Sequence, residues 1–365
     1  MVNYKDILDF YKGKRVLVTG NTGFKGAWLT HILLSVGAEV IGYALEPPTQ
    51  PSLFKLADME SNSNLHQIYA DIRDLDAVSV CFEKFLPEIV IHMAAQPIVR
   101  ESYRNPVDTY STNVMGTVNI CEAVRKTASV RSFLNVTTDK VYKNREWEYG
   151  YREDDELDGF DPYSNSKSCS ELVTHSYRDS FLLNKGVAVS TARAGNVIGG
   201  GDFSNDRIIP DCVRAALSDR IIEVRNPYST RPYQHVLEPL FAYLMIASRQ
   251  FDDVSYAGYY NVGPDDIDCV ATGDLTNLFC EKWNEAVEGV DIFNQVRWAD
   301  KAEADAPHEA NFLKLDCSRI KTTFGWHPRW RIETAIDKVV EWTKCWQIGD
   351  DLKAVMDNQI ADYIR

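Results

Sequence analysis

The chain has 365 residues, 45% of them hydrophobic, enough to build a real core in one large domain or two modest ones. Its 39 basic and 53 acidic residues leave a net charge of −14, which argues against a nucleic-acid partner through repulsion from phosphate. An anionic small ligand stays possible, because it needs only a few local cations. In chain order, residues 1–30 hold no long apolar run, and Asp6, Asp9, Lys12, Lys14 and Arg15 interrupt what is there. The expectation is therefore no secretory signal and no membrane span.

Arg15 to Thr19 reads as a short apolar strand, and Gly20-Asn21-Thr22-Gly23-Phe24-Lys25-Gly26 follows at once. Ala27 to Ser35 is helical in composition, and Ala38 to Tyr43 reads as a second strand. Three glycines spaced by two residues, wedged between strand and helix, point to a nucleotide-binding βαβ unit. One glycine makes the tight turn and the others let backbone and helix approach a pyrophosphate. The helix amino terminus then faces that negative charge with unpaired N–H groups.

The spacing Thr-Gly-x-x-Gly-x-x-Gly, here Thr19 to Gly26, resembles the short-chain dehydrogenase/reductase superfamily. That resemblance implies an α/β Rossmann-type doubly wound parallel sheet that binds a dinucleotide through Gly20, Thr22, Gly23, Phe24, Lys25 and Gly26. Glu46 stands where an acidic residue usually holds the adenosine ribose. It also precedes Pro47-Pro48, where a solvent-facing loop carboxylate is the competing reading. No Arg beside it would greet a 2′-phosphate, which favours NAD.

Ala70-Asp71-Ile72-Arg73 reads as the end of a third strand, and in the superfamily an Asp71-Ile72 pair contacts the adenine. Ile89 to Gln96 reads as a buried strand whose small-residue end, Ala94-Ala95-Gln96, lies under the cofactor in relatives. His92 within it suits packing better than chemistry. Tyr110 to Thr117 resembles the helix that lines the same site in the extended subfamily, with Asn113 turned to the cofactor.

Phe133 to Thr137 is another strand, running into Thr138-Asp139-Lys140-Val141-Tyr142. Tyr163 follows 25 residues after Thr138, in Tyr163-Ser164-Asn165-Ser166-Lys167. Residues four apart share a helix face. An ammonium there would lower the phenol pKa and orient the nicotinamide ribose, leaving Tyr163 able to take a hydroxyl proton. Thr138 can hydrogen-bond the same substrate hydroxyl.

The triplet Thr138-Asp139-Lys140 narrows the reading. Nucleotide-sugar 4-epimerases have small, uncharged residues at this strand end, whereas sugar 4,6-dehydratases place an Asp and mostly then a Glu. Lys140 in the Glu position resembles the CDP-glucose 4,6-dehydratase family. The resemblance continues through Glu46 to Thr49, Arg193 to Asp202, Asp206 to Asp211, Arg231 to Val236 and Trp326 to Trp330, covering nearly the whole chain.

It implies an NAD-dependent lyase acting on CDP-glucose, a nucleotide sugar. Tyr163 would take the C4 hydroxyl proton as the C4 hydride leaves, Asp139 would protonate the departing C6 oxygen, and water would be lost across C5–C6. An ammonium cannot abstract the C5 proton. Lys140 is therefore either a desolvated neutral base or a charge that stabilises the developing enolate while Tyr163 deprotonates.

From Asn196 onward the strand–helix alternation becomes irregular. By resemblance this region builds a smaller C-terminal α/β substrate-binding domain. The expected partition is 1–195 plus about 233–262 for the NAD domain, and about 196–232 plus 263–365 for the nucleotide-sugar domain. Arg207 and Arg231 suit the sugar diphosphate, since guanidinium pairs phosphate oxygens bidentately. A surface ion pair is the alternative for either. Asn196 would hydrogen-bond the same group, and Gln96 would reach both cofactor and sugar. Trp326, Trp330, Trp342 and Trp346 read as packing.

The eight cysteines include no C-x-x-C pair, so neither a zinc site nor a disulfide framework is expected, and no metal. Buried free thiols fit a cytoplasmic enzyme. Relatives form homodimers or homotetramers through a helix pair that includes the Tyr-x-x-x-Lys helix, and feed deoxysugars of bacterial surface polysaccharides. Two rival functions remain: a nucleotide-sugar 4-epimerase, which has no need of Asp139, and a non-catalytic NAD-binding sensor.

Overall fold

The computed structural model describes residues 2–288, 293–301 and 312–365, so positions 289–292 and 302–311 of the 263–365 stretch lie outside the described residues. Seven parallel strands form the central sheet: β1 (Arg15–Thr19), β2 (Glu39–Ala44), β3 (Leu65–Tyr69), β4 (Ile89–His92), β5 (Ser132–Thr138), β6 (Ala188–Ala194) and a last strand, Tyr259–Val262. Their spatial order is last–β6–β5–β4–β1–β2–β3. The connections reverse direction between β1 and β4, so a crevice opens at the carboxyl ends of those strands.

Alternation along each strand sends side chains to two cores. Val16 and Val18 of β1 join Trp28, Leu29, Leu240, Phe241 and Leu244 on one face. Leu17 joins Ile72, Phe82, Ile120 and Val124 on the other. These strands are apolar on both faces because helices cover both, as a parallel sheet requires.

Two strands stop earlier than their composition suggests. β4 ends at His92, and Met93 to Gln96 leave the ladder; β3 ends at Tyr69, short of Asp71. In both cases the chain leaves the sheet at the mouth of the crevice, and after β4 the Met93, Ala94 and Gln96 N–H groups bond side chains instead of a neighbouring strand.

Among the described residues six short strands interleave with the return to the sheet: β7 (Val197–Ile198), β8 (Ile222–Val224), β9 (Thr230–Pro232), β10 (Gln234–His235) and, after the sheet's last strand, Cys269–Ala271, which pairs with β9, and Trp298–Asp300, which pairs with β8. A separate hydrophobic cluster lies here, with Ile209, Val213, Phe279, Trp283, Ile336 and Val339 fully or nearly fully buried. The Leu237–Asp252 helix returns to β5 and β6 between the pieces of that cluster. The final helix, Leu352–Ile364, packs its Met356, Ile360 and Tyr363 into the main core. Trp326 and Trp342 are buried there too. Among the described residues no helix is long and apolar enough to cross a membrane.

Candidate active site

The glycine loop sits at the carboxyl end of β1. Gly20 has φ of +72°, and a Cβ on it would lie 2.9 Å from the Ala94 backbone. A Cβ on Gly26 would come within 2.1 Å of the Gly20 carbonyl oxygen. Only glycines allow this turn and this contact. The Phe24–Ser35 helix begins at Gly23 with no side-chain cap, so its first N–H groups are left for an anion. An uncapped helix end behind a loop whose Gly20 and Gly26 bring backbone against backbone fits a dinucleotide pyrophosphate. Thr22 fixes the loop by donating its hydroxyl to the Leu45 carbonyl at 2.9 Å. Beyond it, Glu46 is exposed.

Asp71 and Ile72 are more tightly engaged than the sequence indicates. Asp71 accepts from Arg73 Nη2 at 2.6 Å and from the Arg73 backbone N–H at 2.8 Å, which holds its carboxyl below the usual range. Ile72 is buried against Gly116, where a Cβ would lie 2.4 Å from its Cδ1.

A stretch of π-helix, Ser111–Met115, interrupts the helix that follows Pro106. This bulge turns Asn113 inward. Asn113 is buried, accepts the Gln96 N–H at 2.8 Å and donates to the Gln96 carbonyl at 3.1 Å and to Ser166 Oγ at 2.9 Å. It thereby splints the Ala94-Ala95-Gln96 loop to the Tyr163 helix. The Gln96 side chain is itself engaged, donating to Thr109 and accepting from the Ile98 N–H.

His92 does pack. Thr19 Oγ1 accepts the Met93 and Ala94 N–H groups, so it donates to His92 Nδ1 at 2.7 Å. That assigns the imidazole proton to Nε2, which faces Thr117 at 3.2 Å. Burial, with the nearby Lys167 charge, lowers its pKa to about 3.

The chemical groups converge at the end of β5. Asp139 is 1% exposed; Thr138 donates to its Oδ1 at 2.9 Å, and Oδ2 has no partner. Burial raises its carboxyl pKa, against the pull of Lys140, Thr138 and Arg231. Thr138 also accepts the Lys140 N–H at 3.4 Å, which sets the turn after the strand.

Tyr163 and Lys167 lie on the Pro162–Tyr177 helix, capped by Asp161, which accepts the Ser164 N–H. Lys167 is buried and donates to the Val136 carbonyl at 2.9 Å. Burial lowers its pKa to about 8, with Glu171 pulling the other way.

The Tyr163 phenol, although the residue is only half-buried, is pushed up to about 12 by burial. The opposing pulls come from the Thr138 hydroxyl and the Arg207 charge.

Arg231 is 3% exposed and gives one nitrogen to the Thr230 carbonyl, while its Nη2 has no partner. Arg207 is a third exposed and faces Asp202 at 3.5 Å, yet its charge reaches both Lys25 and Tyr163. Lys25 donates to Tyr243 Oη at 3.0 Å, and burial lowers its pKa to about 7. Asn196 enters through its carbonyl, which accepts the Gln234 N–H at 3.0 Å.

The fold thus gathers Lys25, Thr138, Asp139, Lys140, Tyr163, Lys167, Arg207 and Arg231 around one crevice. Sequence reasoning missed Ser166 and Ser170, which with Thr117 and Asn135 form the polar seam between the Tyr163 helix and its neighbours. Their signal is a helix face of small hydroxyl residues, spaced four apart. Among the described residues no group of His, Cys, Asp and Glu could hold a metal ion.

Comparison with known proteins agrees with this geometry. A CDP-glucose 4,6-dehydratase of Salmonella typhimurium is 44% identical over 362 residues, covering 98% of each chain. The structure of a dTDP-glucose 4,6-dehydratase from Bacillus anthracis in complex with NAD superposes with a TM-score of 0.75 at 18% identity, over 93% of this chain and all of that one. A UDP-glucuronic acid 4-epimerase from Bacillus cereus, solved with UDP-glucuronic acid and NAD, gives 0.76 at 20% identity, over 91% and 99%. At such identities these structures attest the shared fold. The sequence profile described as GDP-mannose 4,6 dehydratase matches residues 17–339, and the chain belongs to that family.

Proposed function

We propose that this chain is an NAD-dependent CDP-glucose 4,6-dehydratase, converting CDP-D-glucose to CDP-4-keto-6-deoxy-D-glucose. The observation that carries the reading is Asp139. It is a carboxyl raised by burial, with one oxygen unpartnered, beside Thr138 and the Tyr163 helix. A protonated acid there is what loss of the C6 hydroxyl needs and what an epimerase does not. The 44% identity to a protein of that name supports the same substrate.

The pyrophosphate of the dinucleotide would lie on the glycine loop and the uncapped helix end, with Tyr163 and Lys167 at the nicotinamide ribose. When bound, the dinucleotide supplies a hydride acceptor for C4 and a hydride donor for C6. Its positive ring would also add the charge that the raised Tyr163 phenol lacks.

Tyr163 takes the C4 hydroxyl proton, with Thr138 holding the same oxygen. The resulting 4-ketone acidifies C5–H. Asp139 delivers its proton to the C6 oxygen, which leaves as water as the C5–C6 double bond forms. Lys140, next to Asp139, either stays charged and stabilises the enolate oxygen while Tyr163, having first released the C4 proton to solvent, receives the C5 proton, or is neutral and receives that proton itself.

Arg207 and Arg231 would hold the sugar diphosphate. The unit around Phe279 and Trp283 would serve as the nucleotide-sugar lobe, with residues 1–195 and about 233–262 as the NAD lobe. Exposed Val107, Met115 and Leu172, on or beside the helices that line the site, support assembly as a homodimer or homotetramer.

The test is to incubate the purified protein with CDP-, dTDP-, UDP- and GDP-linked hexoses and follow products by mass spectrometry. Loss of one water from CDP-glucose alone is the expected result. A sugar of unchanged mass with inverted C4 would make the chain an epimerase.

A further inference from the structure

Directly behind Lys167 lies a buried ion pair that the reaction above does not use. Tyr163, Lys167 and Glu171 follow one another at four-residue spacing on one face of the Pro162–Tyr177 helix, about 6 Å apart along its axis. The Glu171 side chain is 0% exposed, as is its partner Arg193 on β6. Four donors converge on this one carboxylate. Arg193 Nη2 at 2.9 Å, Thr191 Oγ1 at 2.7 Å and His175 Nε2 at 3.2 Å reach Oε2, and Thr137 Oγ1 reaches Oε1.

Arg193 is anchored in turn. Its Nη1 donates to Tyr142 Oη at 2.8 Å and to the Glu153 carbonyl at 2.9 Å. Tyr142 Oη then donates to Asn261 at 2.6 Å.

Such a pair is poorly explained as a stabiliser. Removing two charges from water costs several kcal/mol per ion, and an apolar pair of similar volume often does as well or better. The helix is already held to the sheet by an apolar core and by Asn135, which donates to Ser170 and Thr174. What the pair adds is a fixed negative charge one turn from the lysine, kept ionised by four donors.

We propose that Glu171, clamped by Arg193, is a positioning residue that holds Lys167 in place as a charged ammonium beneath the nicotinamide ribose. This rests on the dehydratase reading for the role of Lys167. The charges around Lys167 leave Glu171 as its near counter-charge. Lys25 is a like charge from the glycine-loop helix, and His92 on β4 is neutral. Asp139 lies beyond Tyr163 at the other end of the site. On its own helix His175 stacks on Tyr259 and turns its nitrogen to Glu171, not to Lys167. Burial would raise the Glu171 carboxyl, but the Arg193 charge and the His175, Arg193 and Thr137 bonds bring it down to about 2. It is therefore anionic wherever the enzyme works. Burial lowers Lys167 to about 8 even with Glu171 raising it, so without that anion the lysine would lose its proton still closer to neutrality.

The test is a 13Cε-lysine NMR titration of Lys167 in the full-length protein and in Glu171→Gln, beside pH–rate profiles with CDP-glucose and NAD. A midpoint lowered by about one unit is expected in Glu171→Gln. Turnover should be lost from the alkaline side first, with KM for CDP-glucose within about twofold. Because Glu171→Gln leaves a lone buried guanidinium, Glu171→Gln/Arg193→Met provides a folded comparison with a smaller fall. An unmoved Lys167 midpoint in whichever variant folds, with turnover reduced equally at all pH values, would make the pair purely structural and overturn the proposal. Native protein that converts no nucleotide sugar would instead count against the dehydratase reading, and the titration would still decide the role of Glu171.

Discussion

Tyr363, near the end of the chain, donates its hydroxyl to Glu238 at 2.7 Å, joining the last helix to the helix behind the main sheet. The other Glu238 oxygen accepts the backbone N–H groups of Arg329 and Trp330 at 2.9 and 2.7 Å. Burial raises this carboxyl to about 7 despite those donors. Since an unfolded Glu titrates near 4.3, the folded chain holds the extra proton between those values, and stability falls as pH rises through that window. The contribution is of order 3 kcal/mol, fully present below about pH 4 and lost above about pH 7. Thermal unfolding of Glu238→Gln across pH 4–8 should show that slope flattened, whereas Glu238→Ala should cost about 3 kcal/mol or more by orphaning three donors.

Replacing Tyr163 with Phe removes the phenol that pairs with the Thr138 hydroxyl at the β5 end. Turnover of CDP-glucose is expected to fall about 10²–10⁴-fold. NAD affinity, read by fluorescence titration, should stay within a few-fold, because the glycine loop is untouched.

Asp139→Asn keeps the shape of the turn and the Thr138 contact but cannot give a proton to the C6 oxygen. C4 oxidation should continue, and absorbance at the reduced-nicotinamide wavelength should accumulate in single-turnover experiments while water loss slows about 10²-fold or more. Because burial holds the Asp139 proton above the usual carboxylate range, native dehydration should decline as pH rises past that range. A flat profile with no accumulating reduced cofactor would assign the acid elsewhere.

Lys140→Met separates the two roles of that lysine. With a charge stabiliser removed, solvent exchange at C5 should slow by about 10–10²-fold and persist through Tyr163; a neutral base would give complete loss. Undiminished exchange, followed by deuterium incorporation, would remove Lys140 from the reaction.

Gly26→Ala places a methyl group 2.1 Å from the Gly20 carbonyl oxygen, a backbone atom that has nowhere to go. The variant should lose NAD binding, measured by calorimetry, and about 1–3 kcal/mol of stability.

The sheet was legible wherever local signals coincide with what the fold requires. β1 has the bounds its apolar run suggests, and the glycines at 20 and 26 sit where a turn and a helix start leave no room for side chains. Ends of strands were less legible: the apolar run to Gln96 outlasts β4, because Met93 and Ala94 serve a close approach to Gly20 instead of a ladder. Tyr163 and Lys167 could be found from spacing. Their titration could not, since it depends on the Val136 carbonyl and on surrounding burial, which no spacing encodes. Glu171 was visible at four residues past Lys167, but its partner Arg193 lies on β6 and becomes a neighbour only when the helix packs on the sheet.

The route of the chain between its cores has a practical corollary. Residues 209–224, 275–287 and 332–340 contribute to one hydrophobic cluster, and the helix and strand at 237–262, between the first two of these stretches, belong to the other. The covering lobe is therefore sewn through the sheet in several stitches and cannot be cut out of the gene as a single cassette. Under the proposed function, exchanging substrate preference between relatives would have to proceed by grafting individual loops, those at Arg207 and Arg231 first, with the polypeptide path left as it is.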